Sequence, residues 1–579
     1  MRAVRGRQEG RVRMWTAWSR ALLPVLGLFC AGAAYGQQQS RPAPVDPRQS
    51  ERTFDAQRER QRMARPAVTV PTVARPQPEA DARPMFVLTS LSIEGATAIP
   101  EQAFADLYAP LIGRKVSQAD LLGVANGISD RYRAAGYHLS RAVIPVQDIK
   151  GGRVRIQVIE GSFAELEVSG DHRNAFGARA ILNVVLRESP SRLATLERQL
   201  LIVNDTSGVR VTDTAIDEIG TATGRFRLIV KLKTWHVYAS LGMDNAGTRA
   251  AGPLQGYSTT AFNSAIAPGD SLAVNLSTVP DATRELRYGR VSYDAPVGVH
   301  GVKLGGSISR SEVWPGDARR TIEDRTVNQG YELRGSIAPL QTRKAALVLS
   351  VAGNYSDPYE TTSLGDVYRD HVRQVTAAAD LKFQDPLNAW NYATVALRQG
   401  VDVWGATQLN DPASSRESAS PNSSVFAYGY ARYQPLFDAW SLKAGITGQV
   451  ASGPQLTSQA FYLGGAAFGP GYVSGDNGFS GSVELRFDQT PQSTLFKGYQ
   501  LYAFIDGGRV WDMDGEKLSL ASAGAGLRML LIEELTASIA VAVPVHYTFR
   551  TDEIGKARFL FSISNTFKVC PNRSGLNCA

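Results

Sequence analysis

Apolar and polar residues alternate in two different ways along the chain, which separates a short mixed region from a long region of strands. In the mixed region, the alternation in FVLTSLSIEG gives way to helical spacing, with Leu121, Val124 and Ile128 on one buried stripe. Two strand-like runs, HLSRAVIPVQ and RVRIQVIE, follow, and the order β-α-α-β-β recurs from FAELEVSG to FRLIVKL. The pattern predicts two small α+β units, at residues 85–161 and 162–234.

From residue 235 onward the helical period is lost, and short alternating runs are separated by Gly, Asp, Asn and Pro. In VELRF, Val483 and Leu485 share one face of a strand, and Glu484 and Arg486 share the other. A soluble sandwich would turn the charged face toward water. A transmembrane barrel would turn the apolar face toward lipid and the charged face toward a wet lumen. Alternation alone leaves both architectures open.

The amino-terminal residues favour the barrel. Arg20 precedes an apolar run from Ala21 to Gly32, and small residues at a cleavage position follow, so residues 1–36 are predicted to be a signal peptide. The run is shorter than the ~20 residues of a spanning helix. For an exported chain, residues 235–567 then have room for about sixteen strands of about ten residues with their connections.

Residues 37–84 are rich in Pro, Gln and Arg and are predicted to form a linker. One part of it, 48–65 (RQSERTFDAQRERQRMAR), contains neither Gly nor Pro and is predicted to be a helix of about 27 Å. This helix is polar on every side, which requires a wet environment. Two interpretations stay open: a solvated helix, and a plug in the lumen of a barrel.

Cysteine and histidine usage argues against a catalytic or metal-binding protein. Signal-peptide cleavage would leave Cys570 and Cys578, within the tail 568–579, either as a small disulfide loop in an oxidising compartment or as free thiols. No pair of the six histidines has helical ligand spacing, and no nucleophile–base constellation is evident. We therefore expect no metal, no cofactor and no enzymatic activity.

The stretch FYLGGAAFGPGYVSGDNGFSGSVELRF comes close to a phosphate-binding loop at Gly469-Pro470-Gly471. A dinucleotide fingerprint needs a strand before its glycines and a helix after them. Here the strand-like run VELRFD follows, and no βαβ unit surrounds the glycines. The glycines therefore indicate a sharply bent loop rather than a nucleotide site.

Several longer stretches carry a resemblance to a known family. They are RYRAAGYHLSRAVIPVQDIKGGRVRIQVIEG, LIVNDTSGVRV, GMDNAGTRAAG and YAFIDGGRVW. Together with the two β-α-α-β-β units, they resemble the haemolysin secretion/activation proteins, the outer-membrane transporters of two-partner secretion. The resemblance covers residues 85–567. It implies a mainly β fold, with two POTRA domains ahead of a sixteen-stranded transmembrane β-barrel.

The resemblance also implies a location and a function. The barrel would lie in the outer membrane of a Gram-negative bacterium as a monomer in contact with lipid, with the POTRA domains in the periplasm. It would export one large unfolded protein partner of the adhesin or haemolysin type. Two alternatives are a barrel insertase of the same superfamily, which the presence of only two POTRA units argues against, and a passive porin, which leaves those units unexplained.

In this family a long extracellular loop folds back into the lumen and is held at the barrel wall. Its loop motif Val-Arg-Gly-Phe/Tyr falls on Gly469, Pro470, Gly471 and Tyr472, and its wall motif Phe-x-Asp-x-Gly falls on Phe504, Asp506 and Gly508. The resemblance implies an arginine–aspartate pair, but Pro470 occupies the arginine position. Arg486 alternates inward on the next strand, so we expect it to replace the missing cation at Asp506.

The first POTRA domain is expected to capture the partner. Its strand edges would pair with extended chain by β-augmentation, and Arg153 and Arg155 are the candidate contact residues. The alternative is that these arginines are only a solvated face. At the other end of the chain, twelve residues follow Phe567, where the family's barrels usually stop at an aromatic residue.

Overall fold

A computed structural model describes residues 46, 50, 54, 71, 81–221, 223–491, 497–513, 515, 517–532, 534–549 and 554–569. The predicted signal peptide at 1–36 and the two tail cysteines, Cys570 and Cys578, lie outside the described residues. Among the described residues, no helix combines the length and the apolar character needed to cross a membrane.

The helices and the first strands belong to the two α+β units. The helices are α1 (Ala105–Tyr108), α2 (Gln118–Ala134), α3 (Ala178–Leu182) and α4 (Leu193–Asn204). The strands are β1 (Phe86–Val87), β2 (Ser90–Glu94), β3 (Lys115–Val116), β4 (Arg141–Val143), β5 (Arg153–Ile159), β6 (Ser162–Ser169), β7 (Val209–Glu218) and β8 (Arg225–Thr234).

The remaining strands belong to the barrel and its loops. They are β9 (Val237–Asp244), β10 (Gln255–Asn263), β11 (Ser271–Thr278), β12 (Leu286–Val297), β13 (Val302–Val313), β14 (Arg325–Gln341), β15 (Ala345–Ser356), β16 (Tyr359–Thr362), β17 (Gly365–Arg369), β18 (Val372–Gln384), β19 (Trp390–Gly400), β20 (Ser424–Pro435), β21 (Trp440–Ala451), β22 (Phe461–Gly465), β23 (Gly469–Gly475), β24 (Asn477–Gln489), β25 (Gly498–Trp511), β26 (Lys517–Ile532), β27 (Leu535–Tyr547) and β28 (Arg558–Val569).

The first unit folds as the hydrophobic pattern predicts. Helix α2 begins at a capping box in which Ser117 and Asp120 each accept a hydrogen bond from the other's backbone N–H. Its stripe, including Ile128, packs on a three-stranded sheet ordered β2-β5-β4, in which β2 and β5 run parallel. The strand predicted over HLSRAVIPVQ is short, because Pro145 lacks the N–H that a longer ladder would use.

The hydrophobic pattern did not predict the role of one carboxylate, Glu160, at the end of the first unit. Glu160 accepts hydrogen bonds of 2.7 Å from the backbone N–H groups of Thr97 and Ala98 and from the hydroxyl of Tyr132. Burial raises the pKa of the Glu160 carboxyl, but the hydrogen bonds that it accepts lower the pKa by more. The pKa of Glu160 therefore lies below its usual value. Glu160 thus ties the loop after β2 to helix α2.

The second unit repeats the arrangement and joins the first unit to the barrel. Its sheet is ordered β6-β8-β7 under helices α3 and α4. Arg141 of the first unit donates to Glu218 of the second at 2.7 Å. On the barrel side, Arg198 of α4 donates to the carbonyls of His300, Ala338 and Pro339 at 2.9–3.0 Å. His300 lies in the turn between β12 and β13, and Ala338 and Pro339 lie near the periplasmic end of β14, so the second unit is docked at that end of the barrel.

The barrel closes as predicted, with sixteen wall strands among the described residues. Strands β9–β15, β18–β21 and β24–β28 are all antiparallel, and β28 pairs with β9 to complete the ring. Strands β16 and β17 form a hairpin that extends the wall between β15 and β18. Strand β28 continues to Val569, past the predicted barrel end at 567.

The faces of the wall strands follow the predicted alternation. Outward positions carry exposed apolar side chains, such as Ile308, Leu333, Val541 and Phe559. Inward positions carry polar and charged residues, as in a transmembrane barrel with a wet lumen. The interpretation of a soluble sandwich is therefore wrong, since one closed sheet surrounds a single lumen.

His138 makes the stability of the POTRA units depend on pH. It is 8% exposed, neither ring nitrogen has a partner among the described residues, and burial lowers its pKa to about 4. The folded ring stays neutral while the unfolded ring takes up a proton below about pH 6.5. Stability is therefore fully present above pH 6.5 and is lost as pH falls toward 4, at about 1.4 kcal/mol per pH unit.

We expect the wild-type POTRA units to lose about 2 kcal/mol more unfolding free energy between pH 6.5 and pH 5 than the His138→Leu variant. Urea unfolding followed by pulse proteolysis of the full-length protein measures this difference. The His172→Leu variant, which changes an exposed histidine in the second unit, is the control. An identical pH dependence in wild type and His138→Leu would contradict the assignment.

Candidate functional site in the barrel lumen

The loop between β21 and β24 folds into the lumen as a two-stranded hairpin of β22 and β23, hereafter the inner hairpin. Leu463 and Val473 pack against Val510 and Leu520, which lie on strands β25 and β26 of the wall. A Cβ at Gly508 would come 2.8 Å from the Leu463 side chain, so only glycine admits the hairpin so close to the wall. The inner hairpin therefore packs on the wall as a small second core.

Two glycines make the turn of the inner hairpin possible. A Cβ at Gly464 would lie 2.2 Å from the carbonyl oxygen of Gly469, which no larger residue tolerates. Gly469 itself has φ +95°, a conformation that L side chains rarely adopt. The glycine-rich stretch thus serves backbone geometry, and β24 follows it directly. The prediction of a bent loop, in place of a nucleotide site, fits this arrangement.

Asp506 holds the tip of the inner hairpin through backbone groups. Its carboxylate accepts the N–H of Ala466 at 3.1 Å and a short hydrogen bond from the hydroxyl of Ser522. The N–H of Ala467 donates to the Ser522 hydroxyl at 3.4 Å. On the same inward face, Phe504 stacks on the neighbouring Tyr502 ring at 6.0 Å. The wall motif therefore meets the hairpin tip, but it contacts main chain.

Arg486 does not take the role that the sequence suggested, and that prediction is wrong. Arg486 points inward as expected, but it pairs with Glu484 and lies 5.5 Å from the ring of Tyr433. In register it faces Tyr502, four residues and about 13 Å along β25 from Asp506. Alternation gives the face of a side chain, whereas cross-strand register gives its height, and only the face could be predicted from the sequence.

A different arginine lies beside the hairpin tip, and the sequence analysis missed it. Arg558 opens β28 at an inward position of RFLFSIS, and a Cβ at Gly469 would lie 2.9 Å from its Nη1 atom. Its Nη2 atom donates to the backbone carbonyls of Asn245, at 2.9 Å, and Gly247. Arg558 therefore connects the extracellular end of β28 to the loop after β9. The alternation of RFLFSIS was the signal that could have identified it.

The rest of the loop motif packs as an aromatic cluster. Tyr472 is buried, with its ring 5.8 Å from that of Phe468 and 5.5 Å from that of Phe549. Phe468 also contacts the ring of Tyr547 on β27 at 5.9 Å. Pro470, by contrast, is exposed. The position where the family motif has arginine thus makes no charged contact here, and apolar packing at Tyr472 accompanies the backbone contacts at Asp506.

Three described residues of the linker also lie in the lumen. Ser50 and Phe54 are helical and buried, and Phe54 is only 2% exposed. Its ring stacks at 5.6 Å on Tyr288, an inward residue of β12. Asp46 is buried next to Gly471 of the inner hairpin, where a Cβ on that glycine would be 3.5 Å from the Asp46 Cβ.

Charges on the lumen wall are largely paired with one another. Arg334 of β14 donates to Asp294 of β12 at 2.6 Å and to Glu332 of its own strand at 3.0 Å. On the opposite wall, Arg528 donates two hydrogen bonds to Glu484, at 2.6 and 3.0 Å. Such pairs suit a water-filled interior, where each charge keeps part of its hydration.

The candidate partner-binding residues of the first POTRA domain lie on an exposed face of its sheet. Arg153 and Arg155 are exposed on β5, and Arg155 is 3.5 Å from Glu94. Strand β5 is the central strand of its sheet: β2 pairs with residues 153–157, and β4 pairs with residues 157–159 on the other side. On that second side, the Gln147 side chain hydrogen-bonds the backbone N–H and C=O of Arg155, at 2.8 and 2.7 Å. The outer strands of the sheet, where an extended chain could add, are β2 and β4, and the contact of the two arginines with the partner stays a prediction.

Comparison with known proteins agrees with this architecture. The family model for a ShlB-type POTRA domain matches residues 86–161, and the model for the haemolysin secretion/activation protein ShlB/FhaC/HecB matches residues 228–529. The chain belongs to this family. As a haemolysin secretion/activation protein, it is an outer-membrane transporter that exports a large partner protein by two-partner secretion, with its POTRA domains in the periplasm.

Individual relatives are distant in sequence but similar in fold. The heme/hemopexin transporter protein HuxB of Haemophilus influenzae (strain 86-028NP) is 24% identical over 513 residues, covering 83% of this chain and 87% of HuxB. The outer membrane transporter CdiB of Escherichia coli is 26% identical over 337 residues, covering 56% of this chain and 54% of CdiB. A solved structure of CdiB from Escherichia coli superposes with a TM-score of 0.70 at 18% identity, covering 90% of this chain and 98% of that chain.

Removing the Asp506 carboxylate is expected to free the inner hairpin. Each hydrogen bond to a charged group contributes about 1.5–3 kcal/mol, less where water reaches the lumen. Asp506→Ala should therefore raise the open fraction of single channels in planar bilayers about tenfold. Asp488→Ala removes an exposed carboxylate from the neighbouring strand and should leave the open fraction unchanged. Equal open fractions in Asp506→Ala and wild type would show that the hairpin is held elsewhere.

Proposed function

We propose that the exported partner crosses through the lumen after the inner hairpin and the segment 48–65 have moved out of it. The observation that carries this proposal is the buried contact of Phe54 with Tyr288 on the inward face of β12. An all-round polar helix is stable in a wet interior, and its predicted length of about 27 Å matches the ~25 Å apolar band of such barrels.

We propose that the chain is divided by role at the predicted boundaries. Residues 37–84 are the linker that carries the plug, 85–161 and 162–234 are the two POTRA domains, 235–567 form the pore, and 568–579 are a tail. Two observations support this division. The POTRA domains have their own cores, separate from the packing of the inner hairpin, and Arg198 fixes the second domain at the periplasmic mouth.

In this proposal the first POTRA domain captures an unfolded partner of the adhesin or haemolysin type. The edges that can accept an extended chain are β2 and β4, and the exposed Arg153 and Arg155 flank β2 on the adjoining strand. Main-chain hydrogen bonds at such an edge recognise an unfolded chain with little regard to its sequence. The protein acts without catalysis, and folding of the partner outside the cell gives the export its direction.

Locking the plug in place tests the lumen as the export route. Phe54→Cys and Tyr288→Cys are combined in a chain whose Cys570 and Cys578 are replaced by serine, and a short, cleavable thiol crosslinker joins the two new cysteines. Export of the partner into the medium should fall at least tenfold, because the linked segment stays in the lumen. Cleavage of the linker should restore export.

The single variant Phe54→Cys, treated with the same reagent, is the control for modification alone. It should export at the untreated level. Export that continues unchanged in crosslinked protein would contradict a route through the lumen.

A further inference from the structure

The outer surface of the barrel changes from apolar to basic near the extracellular end of β12, β13 and β14. Val291, Ile308 and Tyr331 form one row across these strands, and their side chains are 48%, 57% and 41% exposed toward lipid. Two residues beyond Ile308, about 7 Å further toward the extracellular end, the outward position is Arg310. On β12, Gly289 lies opposite Arg310, and Arg287 is the outward residue after it, diagonally beside Arg310.

This surface carries three arginines, Arg284, Arg287 and Arg310, which we call the rim arginines. All three are exposed, and none forms a salt bridge with any residue that the structure describes. Arg287 donates through Nε to a backbone carbonyl at 3.1 Å, and Arg310 makes one long hydrogen bond of 3.4 Å to Gln329. Arg284 stacks over the ring of Trp314, with its guanidinium carbon 4.3 Å from the ring centroid. Most of their donors therefore point to solvent.

The outward carboxylate opposite Arg287 in the strand register is Glu312, and it is already hydrogen-bonded to other residues. Glu312 accepts hydrogen bonds from Arg325 at 2.7 Å and from the Trp314 indole N–H at 3.2 Å. Trp314 in turn lies between the guanidinium groups of Arg284 and Arg325, at 4.3 and 5.2 Å. Glu312 is thus already paired with Arg325, and stacking on Trp314 holds Arg284 in position.

We propose that the rim arginines bind the phosphate groups of phosphorylated lipid A in the outer leaflet of the membrane. The site faces outward, and it lies directly above the side chains that contact the acyl chains, where the phosphorylated headgroups of this leaflet are found. Guanidinium groups present paired donors that match phosphate oxygens, and an aromatic ring at this level is typical of a membrane interface. A site for the lipid accounts for three exposed arginines that form no salt bridge with the residues that the structure describes.

Binding of defined lipids to the full-length protein tests the proposal. Each basic residue at an anionic lipid surface contributes roughly fivefold to affinity. The triple variant Arg284→Gln/Arg287→Gln/Arg310→Gln should therefore bind bisphosphorylated lipid A at least tenfold more weakly, as measured by native mass spectrometry from detergent. Its folding is checked independently by the heat-dependent gel mobility of the barrel.

A matched control removes three charges from other parts of the extracellular surface: Arg249→Gln/Arg369→Gln/Lys517→Gln, all exposed residues. This control should bind lipid A within twofold of wild type. Two further measurements use the wild-type protein. It should bind dephosphorylated lipid A at least tenfold more weakly than the bisphosphorylated form, and millimolar inorganic phosphate should not displace the bound lipid.

Wild-type affinity in the folded rim triple variant would overturn the proposal. Equal binding of phosphorylated and dephosphorylated lipid would overturn it as well. If free phosphate displaces the lipid, the proposal is also overturned, because the ligand of the site is then a soluble anion and not lipid A.

Discussion

Closure of the sheet into a ring is the constraint on which the rest of the structure depends. Once β28 pairs with β9, no edge remains, and every second side chain must face the lumen. The inward residues are therefore polar and paired, as at Arg334 with Asp294. A ring of this size is too wide for side chains alone to fill, so the inner hairpin occupies the lumen and Phe54 packs there as well.

The inner hairpin shows how a motif can lose its charged residue and keep its contact. With proline at position 470, Asp506 accepts a backbone N–H from Ala466 and shares Ser522 with the next residue of the tip. A buried carboxylate is costly unless hydrogen-bonded, and backbone donors meet that need without a side chain on the hairpin. Arg558 lies beside the tip, but it donates to a backbone carbonyl of the loop after β9 and so connects that loop to β28. At the periplasmic end, Arg198 likewise donates to backbone carbonyls and connects the second POTRA domain to the barrel.

Periodicity predicted the two α+β units and the long region of strands, and the predicted signal peptide and the family resemblance favoured a barrel over a sandwich. The pairing of charged residues could not be predicted. A period of two on β24 and β25 correctly turned Arg486 and Asp506 inward, because the face depends only on position along one strand. Whether two inward groups meet depends on the register between strands, which turn geometry and packing set. The same limit applies to the first POTRA domain, because alternation identified the strand of Arg153 and Arg155 but not which strands lie at the edges of the sheet.

Hydrogen exchange at the hairpin tip tests the central claim most directly, namely that backbone contacts to Asp506 and Ser522 hold the hairpin in the lumen. The account predicts that, in the full-length protein in lipid, the Ala466 and Ala467 amides exchange at least a hundredfold more slowly than in an unstructured peptide of the same sequence. Exchange at the rate of the free peptide would contradict it, because the tip would then be unbonded at the barrel wall.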